Sequence, residues 1–310
     1  MVSGLMDHAT AYAPGSTSNV GPGFDCLGIA ITGLGDRVTA RRAEAPGVRV
    51  LSVSDTRIPS QVDRNTAALA AGGVLRRASS EMGIELEIEK GLPLSGGLGG
   101  SAASAVAGAV AANALLADPL DKEVLLECAL EAESKVAGRH GDNVAPSLLG
   151  GAVLVQSLEP FRHTHLVVHP AVRLVFVMPG YEVATSRARA LLPVAVARPE
   201  AVAQAAGLAG LVVGLERGDG DLIASSMIDR IAEPGRVPLY PGYAEAREAA
   251  LAAGAWGVAV SGAGPTLVAL VPEDRTTAVA EAAAAAYDGL SGGPARTHVA
   301  GVDDEGARIL

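Results

Sequence analysis

Between a charged segment and a long alanine-rich run stands PLSGGLGGSAAS, residues 93–104. Glycine costs backbone entropy wherever a chain is ordered, so such a cluster serves an unusual backbone conformation or the close approach of a ligand. A glycine-rich loop that runs directly into a helix gathers unpaired N–H groups at the positive end of the helix dipole. That is an anion site, most often one for phosphate. The Walker A pattern is excluded because it needs Gly-Lys-Ser/Thr, and no lysine lies between Lys90 and Lys122. Residues 97–102 match the permissive dinucleotide pattern GxGxxA. That fingerprint demands a tight strand-to-helix turn, however, and Pro93 and further loop residues intervene. The bland alternative is that the glycines only let an alanine-rich helix pack closely.

Two more loops favour the phosphate reading. APGSTSNVGPGFDCLG occupies residues 13–28, and VSGAGPT occupies residues 260–266, between two strand-like segments. In this order the three loops resemble the three signature motifs of the GHMP kinases, small-molecule kinases with their own ATP-binding fold. The resemblance covers essentially the whole chain. It implies a two-domain α+β protein: an N-terminal domain over 1–159, similar to the second domain of ribosomal protein S5, and a ferredoxin-like C-terminal domain over 160–310. It implies that ATP lies with its phosphates on Pro93, Leu94, Ser95, Gly96, Gly97, Leu98, Gly99, Gly100, Ser101, Ala102, Ala103 and Ser104, with Gly262 and Gly264 of the third motif close by. Asn65 matches the region that lines the adenine pocket, although helix capping explains an asparagine there equally well. The family pattern in the second motif is usually Gly-Leu-Gly-Ser-Ser-Ala; here Gly100 replaces the first serine and Ser101 keeps the second. Ser101 matches the magnesium-ligating position. Magnesium takes few ligands from protein and wants hard oxygens, and the resemblance supplies Glu133 as the second, with Glu131 a near rival.

Within the family the similarity is strongest to members that phosphorylate L-homoserine, a step of threonine biosynthesis. That substrate is a zwitterion, which calls for an acidic side chain at its ammonium and arginine at its carboxylate. The resemblance assigns Asn19 and Asp25 to the amino group. An aspartate in a Gly/Pro loop also reads as a turn former. TSRAR at 185–189 and DRIAEPGR at 229–236 supply Arg189 and Arg236, whose planar forks suit a carboxylate. His140, Asp142 and Asn143 match the HxDN segment that faces the substrate hydroxyl. Asp142, Asn143 and Arg189 are thus the implied catalytic set. For phosphoryl transfer a strong base is optional, so Asp142 either accepts the hydroxyl proton or orients the hydroxyl with Asn143. A mevalonate or sugar kinase of the same family remains an alternative, as does a non-catalytic ligand-binding regulator. His163, His165 and His169 read as a strand edge rather than a metal cluster.

These residues need elements to hold them. Alternation predicts strands over 48–53 and 84–89, in VLVQSL after residue 152, and in the segments RLVFVMP, WGVAVSG and TLVALV. Helical spacing predicts helices over 65–81, 101–117, 121–136, 185–192, 199–217, 219–232, 242–253 and 278–287, with GRHGDNVAP as a loop. The mixture predicts an α+β chain with largely antiparallel sheets. Of 310 residues, 49% are hydrophobic but only 3% aromatic, so alanine, valine, leucine and glycine must fill the core. A net charge of -10 disfavours nucleic acid and anionic membranes as partners. Two distant cysteines, Cys26 and Cys128, suggest neither zinc nor a disulfide framework. The start of the sequence lacks the basic and apolar regions of a secretory signal, and the longest apolar run is shorter than the ~20 residues of a membrane span. The expectation is a cytoplasmic enzyme, and the family resemblance implies a homodimer.

Overall fold

The computed structural model describes residues 6–136, 138–290 and 292–310. In chain order the first part contains β1 (His8–Asn19), β2 (Gly23–Ala43), β3 (Gly47–Val53), α1 (Thr66–Arg77), β4 (Gly83–Glu89), α2 (Gly100–Ala114), α3 (Lys122–Val136), α4 (Gly141–Leu149), β5 (Ala152–Leu158) and β6 (Phe161–Leu166). The second contains β7 (Val172–Met178), α5 (Thr185–Arg189), α6 (Arg198–Arg217), α7 (Gly220–Ser226), α8 (Glu233–Arg236), α9 (Tyr243–Ala252), β8 (Gly257–Val260), β9 (Leu267–Pro272), α10 (Thr276–Ala285), β10 (Arg296–Ala300) and β11 (Arg308–Ile309).

Length decides the first sheet. β2 is long enough to pair with β4 through residues 37–43 and with β5 through residues 27–29, while β1 runs along its other edge. The order is β11-β1-β2-β4-β3, with the β5–β6 hairpin branching from β2. Pairing is antiparallel as expected, except that β3 lies parallel to β4. The expected division at residues 159 and 160 falls at the turn of that hairpin, both of whose strands belong to this sheet. The first layer therefore continues through Leu166 and also takes back the C-terminal strand β11.

Alanine explains how the helical layer lies so close. α2 buries Ala102, Ala103, Ala105, Ala107, Ala109, Ala111 and Ala112 against the sheet and its neighbouring helices. A Cβ on Gly108 would stand 2.4 Å from the Ala67 carbonyl oxygen, so α1 and α2 touch backbone to backbone. Small side chains give up area per residue, and the close approach recovers packing density.

In the second part, β7 to β10 form an antiparallel sheet of order β10-β7-β9-β8. Numbered within the part, that is 4-1-3-2 with helices after its first and third strands, the ferredoxin-like arrangement. Period-two alternation splits β7 between two cores. Val175 and Val177 pack with Tyr243, Ala246 and Val279 of α9 and α10, whereas Leu174 and Phe176 join Leu211, Leu215 and Ile223 in a core continuous with the first sheet.

Four expectations about elements are corrected. The first motif is not wholly a loop, because Gly15 to Asn19 continue β1. The GRHGDNVAP segment is not a loop beyond His140, since residues 141–149 form α4. The helix expected over 219–232 stops at Ser226, where Asp229 instead accepts the backbone N–H groups of Ile231, Ala232 and Glu233 and turns the chain. The helix expected over 65–81 covers 66–77, because Ser79 has positive φ. Among the described residues no helix is long and apolar enough to cross a membrane.

Candidate active site

The three motifs meet in one cleft of about 380 Å³, the size of a small-molecule site. They are tied by hydrogen bonds between motifs. Ser16 N donates to Leu98 O at 3.1 Å, and Gly262 N donates to Ser18 O at 3.0 Å. Ser261 Oγ donates to Gly97 O at 2.7 Å and shares a 2.9 Å contact with Thr17 Oγ1. Asn19 Nδ2 reaches Gly262 O at 2.7 Å.

The second motif ends in Gly99, the N-cap of α2, at φ 66°. A Cβ there would stand 2.3 Å from Ser16 Oγ and 2.9 Å from Asn143 Oδ1, so only glycine lets the loop seat against the first motif. From that cap the first-turn N–H groups of α2 have no helical partners of their own. Pro93, Leu94, Ser95, Gly96, Gly97, Gly99, Gly100, Ser101 and Ser104 line the cleft. Leu98, Ala102, Ala103 and Gly264 do not. Leu98, Ala102 and Ala103 turn their side chains into the core, and a Cβ on Gly264 would meet the Tyr240 ring. For Ala102 and Ala103 the cause is helical geometry: residues beside Ser101 on α2 must serve the sheet behind it.

Ser101 Oγ donates to Glu133 Oε1 at 2.6 Å. Glu133 is only 2% exposed, and its Oε2 has no hydrogen-bond partner among the described residues. A buried carboxylate oxygen without a partner, next to a hydroxyl in the first turn of α2, is a hard-oxygen donor set that fits magnesium. Glu131 points elsewhere: it lies exposed and pairs with Arg77 at 2.6 Å, which lowers its pKa.

A polar chain runs from Glu133 across the cleft. His140 Nδ1 lies 3.5 Å from Glu133 Oε1, and His140 Nε2 accepts from Arg189 Nε at 3.2 Å. A guanidinium can only donate, so the His140 proton sits on Nδ1, facing Glu133. Arg189 then grips Asp25 with both ends of its fork, at 2.8 and 3.2 Å. Arg187 is exposed and outside the cleft. Arg236 is buried, donates to Ala188 O at 3.1 Å and to Gly262 O at 3.4 Å, and stacks over Phe24. Burial lowers its pKa.

Asp142, in the first turn of α4, is buried beneath this chain. Burial, then the Asp25 charge, pushes its carboxyl up to about 6, with His140 and a Ser18 hydrogen bond opposing. A carboxylate with that affinity for protons is suited to accept one at neutral pH. Three asparagines have their amides engaged in holding the frame. Asn143 donates to Ser18 Oγ and accepts from Ser16 Oγ, both at 3.1 Å. Asn19 Oδ1 accepts from Asp25 N at 3.0 Å, and Asn65 caps α1 through Ala68 N while donating to Pro59 O. The sequence reading missed Ile58, Pro59 and Ile88, which give the cleft an apolar side, and Lys90, which lies under the loop. The only signal for Lys90 was its place just before the glycine cluster, where a lysine reads as solvated.

A glycine-capped helix N-terminus beside a charged pocket of this size suits an enzyme that handles a phosphate group and a small molecule together. The chain belongs to the GHMP kinase family. Its residues 65–151 match the family's N-terminal domain and residues 211–289 its C-terminal domain. A homoserine kinase of Xanthomonas campestris pv. campestris (strain B100) is 42% identical over 307 residues, covering 97% of this chain and 94% of that protein. One of Xylella fastidiosa (strain 9a5c) is 42% identical over 308 residues with the same coverage. The crystal structure of homoserine kinase from Cytophaga hutchinsonii superposes with a TM-score of 0.95 at 38% identity, covering 100% of this chain and 99% of that one.

Proposed function

We propose that this chain transfers the γ-phosphoryl group of ATP to the side-chain hydroxyl of L-homoserine, giving O-phospho-L-homoserine and ADP, a step of threonine biosynthesis. The observation that carries the reading is the charge pattern beside Asp142: one carboxylate, Asp25, faces two arginines, Arg189 and Arg236, at the same end of the cleft. A zwitterionic amino acid needs that set. Mevalonate and sugars have no ammonium to place on Asp25. The similarity to homoserine kinases over nearly the whole chain supports the same substrate.

In this reading the first-turn N–H groups of α2 hold the nucleotide phosphates, and the apolar side of the cleft takes the base. Bound magnesium, on Ser101 and Glu133, would neutralise charge on the transferred group. Arg189 and Arg236 bind the substrate carboxylate, and Asp25 binds its ammonium. The hydroxyl oxygen bonds to the γ-phosphorus as the bond to the bridging β–γ oxygen breaks, and Asp142 takes the hydroxyl proton. Asn143 fixes α4 against the first motif and so fixes Asp142. A non-catalytic binding protein would have no use for a base of raised pKa in the same cleft as a buried carboxylate oxygen that has no partner among the described residues. The reading includes a homodimer acting in the cytoplasm.

ATP turnover with homoserine, compared with 4-hydroxybutyrate, tests this directly. Homoserine should be phosphorylated efficiently, and the analogue without the amino group at least roughly tenfold less so, at about 1.4 kcal/mol per decade. Equal turnover of the two would remove the amino-acid pocket but leave the kinase.

A further inference from the structure

Lys90 follows the end of β4, yet its side chain is only 5% exposed and reaches back under the glycine loop. Its ammonium has three protons, and all three meet acceptors: Asp36 Oδ2 in a short ion pair, Gly100 O at 2.8 Å and Ser104 Oγ at 2.8 Å. Asp36, fully buried on β2, is itself saturated. Its Oδ2 also accepts from Ser104 Oγ at 2.7 Å, and its Oδ1 accepts from Gly91 N and Leu92 N at 3.1 and 3.3 Å. The cluster therefore binds both ends of the loop, the Gly91–Leu92 backbone where it starts and the first turn of α2 where it ends.

We propose that Lys90, anchored by Asp36, is the positioning residue of the phosphate cradle. The Gly100 carbonyl and the Ser101 N–H belong to one planar peptide unit. Fixing the carbonyl from below fixes the direction in which that N–H points into the cleft, and the cation at the carbonyl end polarises the unit so that the N–H is a stronger donor. The same unit carries Ser101, whose hydroxyl meets Glu133, so one contact sets both the phosphate donor and the serine oxygen. Stability alone is a poor account of the cluster, because buried ion pairs replaced at both partners often leave stability unchanged or improved.

This inference rests on the kinase reading, and the test separates the two. The double variant Lys90→Met/Asp36→Asn removes the ion pair without leaving a lone buried charge. Binding of ADP and of adenosine, each with magnesium, is measured by calorimetry alongside the melting curve. The expected result is a cooperative fold, ADP affinity lowered roughly tenfold or more, and adenosine affinity and the homoserine KM within about twofold of the parent. Loss of the phosphate-dependent part alone is a result that a merely structural role would not produce. Unchanged ADP binding in the folded variant, or equal losses for ADP and adenosine, overturns the proposal. Should the double variant not fold, Ser104→Ala decides, with ADP affinity expected to fall about threefold and adenosine affinity to hold; no selective change overturns it. A parent protein that binds no ADP would instead bring down the kinase reading, and this inference with it.

Discussion

The two ends of the cleft are built from different materials. At the end proposed to hold phosphate the groups lining the cleft are mainly backbone, carried by a glycine-capped helix and locked to the other two motifs by hydrogen bonds. The charges there, Lys90 and Asp36, lie beneath the surface and neutralise each other. At the end proposed to hold the amino acid the groups are long side chains from distant elements: Asp25 of β2, Arg189 of α5 and Arg236 of α8. Asp25 and Arg189 pair with each other, each part-exposed. A phosphate presents the same oxygens in every nucleotide, so a rigid cradle of N–H groups serves. A zwitterion must be recognised at two opposite charges, and in the proposed reading Asp25 and Arg189 satisfy each other until it arrives. An ion pair exposed to this degree is worth about 0–1 kcal/mol, so in that reading substrate would exchange both partners at little cost.

Four substitutions probe that contrast. The largest effect is expected at the phosphate end, from Glu133→Gln. Turnover should fall by about 10²-fold or more, since metal-borne charge stabilisation is worth several kcal/mol, and raised magnesium should restore part of it. Glu131→Gln, two residues away, should change turnover by less than about twofold, because it loses only a surface pair. The reverse ranking would move the metal off Ser101 and Glu133.

At the amino-acid end, Arg236→Ala should raise the homoserine KM at least roughly tenfold, because truncating one partner of a buried charge contact costs about 2–5 kcal/mol. The ATP KM should hold. If both constants rose together, the two ends would not be separate regions.

Between them, Asp142→Asn should lower turnover yet stabilise the fold at alkaline pH. Asp142 binds its proton up to about 6 in the folded protein, against an ordinary value of 3.8. The stability that this proton contributes is full below the unfolded value and is lost as pH rises through about 6. At pH 8 the buried carboxylate is therefore a burden, and the amide should add on the order of 2 kcal/mol to the unfolding free energy. At pH 4 the gain should nearly vanish. A variant no more stable at pH 8 than at pH 4 would show that Asp142 is not desolvated.

Much of this was legible in the order of residues. The glycine motif, the alternating strands and the helical runs are local patterns, and local patterns survive without a tertiary frame. The misses have physical causes. Residues 141–146 read as a loop because His-Gly-Asp-Asn favours turns, yet burial against β1 and β2 makes them helical. The run after residue 219 kept helical spacing, but nothing in spacing shows that Asp229 will cap three backbone N–H groups. Leu98, Ala102 and Ala103 stood inside the motif and yet face the core, since a motif does not say which side of its helix meets ligand.

The sequence by itself determined the family resemblance, the cradle on α2 and the kinds of charge that an amino acid would need, because those reside in residue types at short separations. Only the tertiary structure set Glu131 at the surface with Arg77 and Glu133 in the interior against Ser101, two positions on one helix with opposite surroundings. It also decided that Lys90 is buried under the loop it precedes and that Asp25 and Arg189 pair with each other. Those outcomes depend on which partner comes within about 3 Å across the fold, and hydrogen bonds and ion pairs fall away steeply beyond such distances.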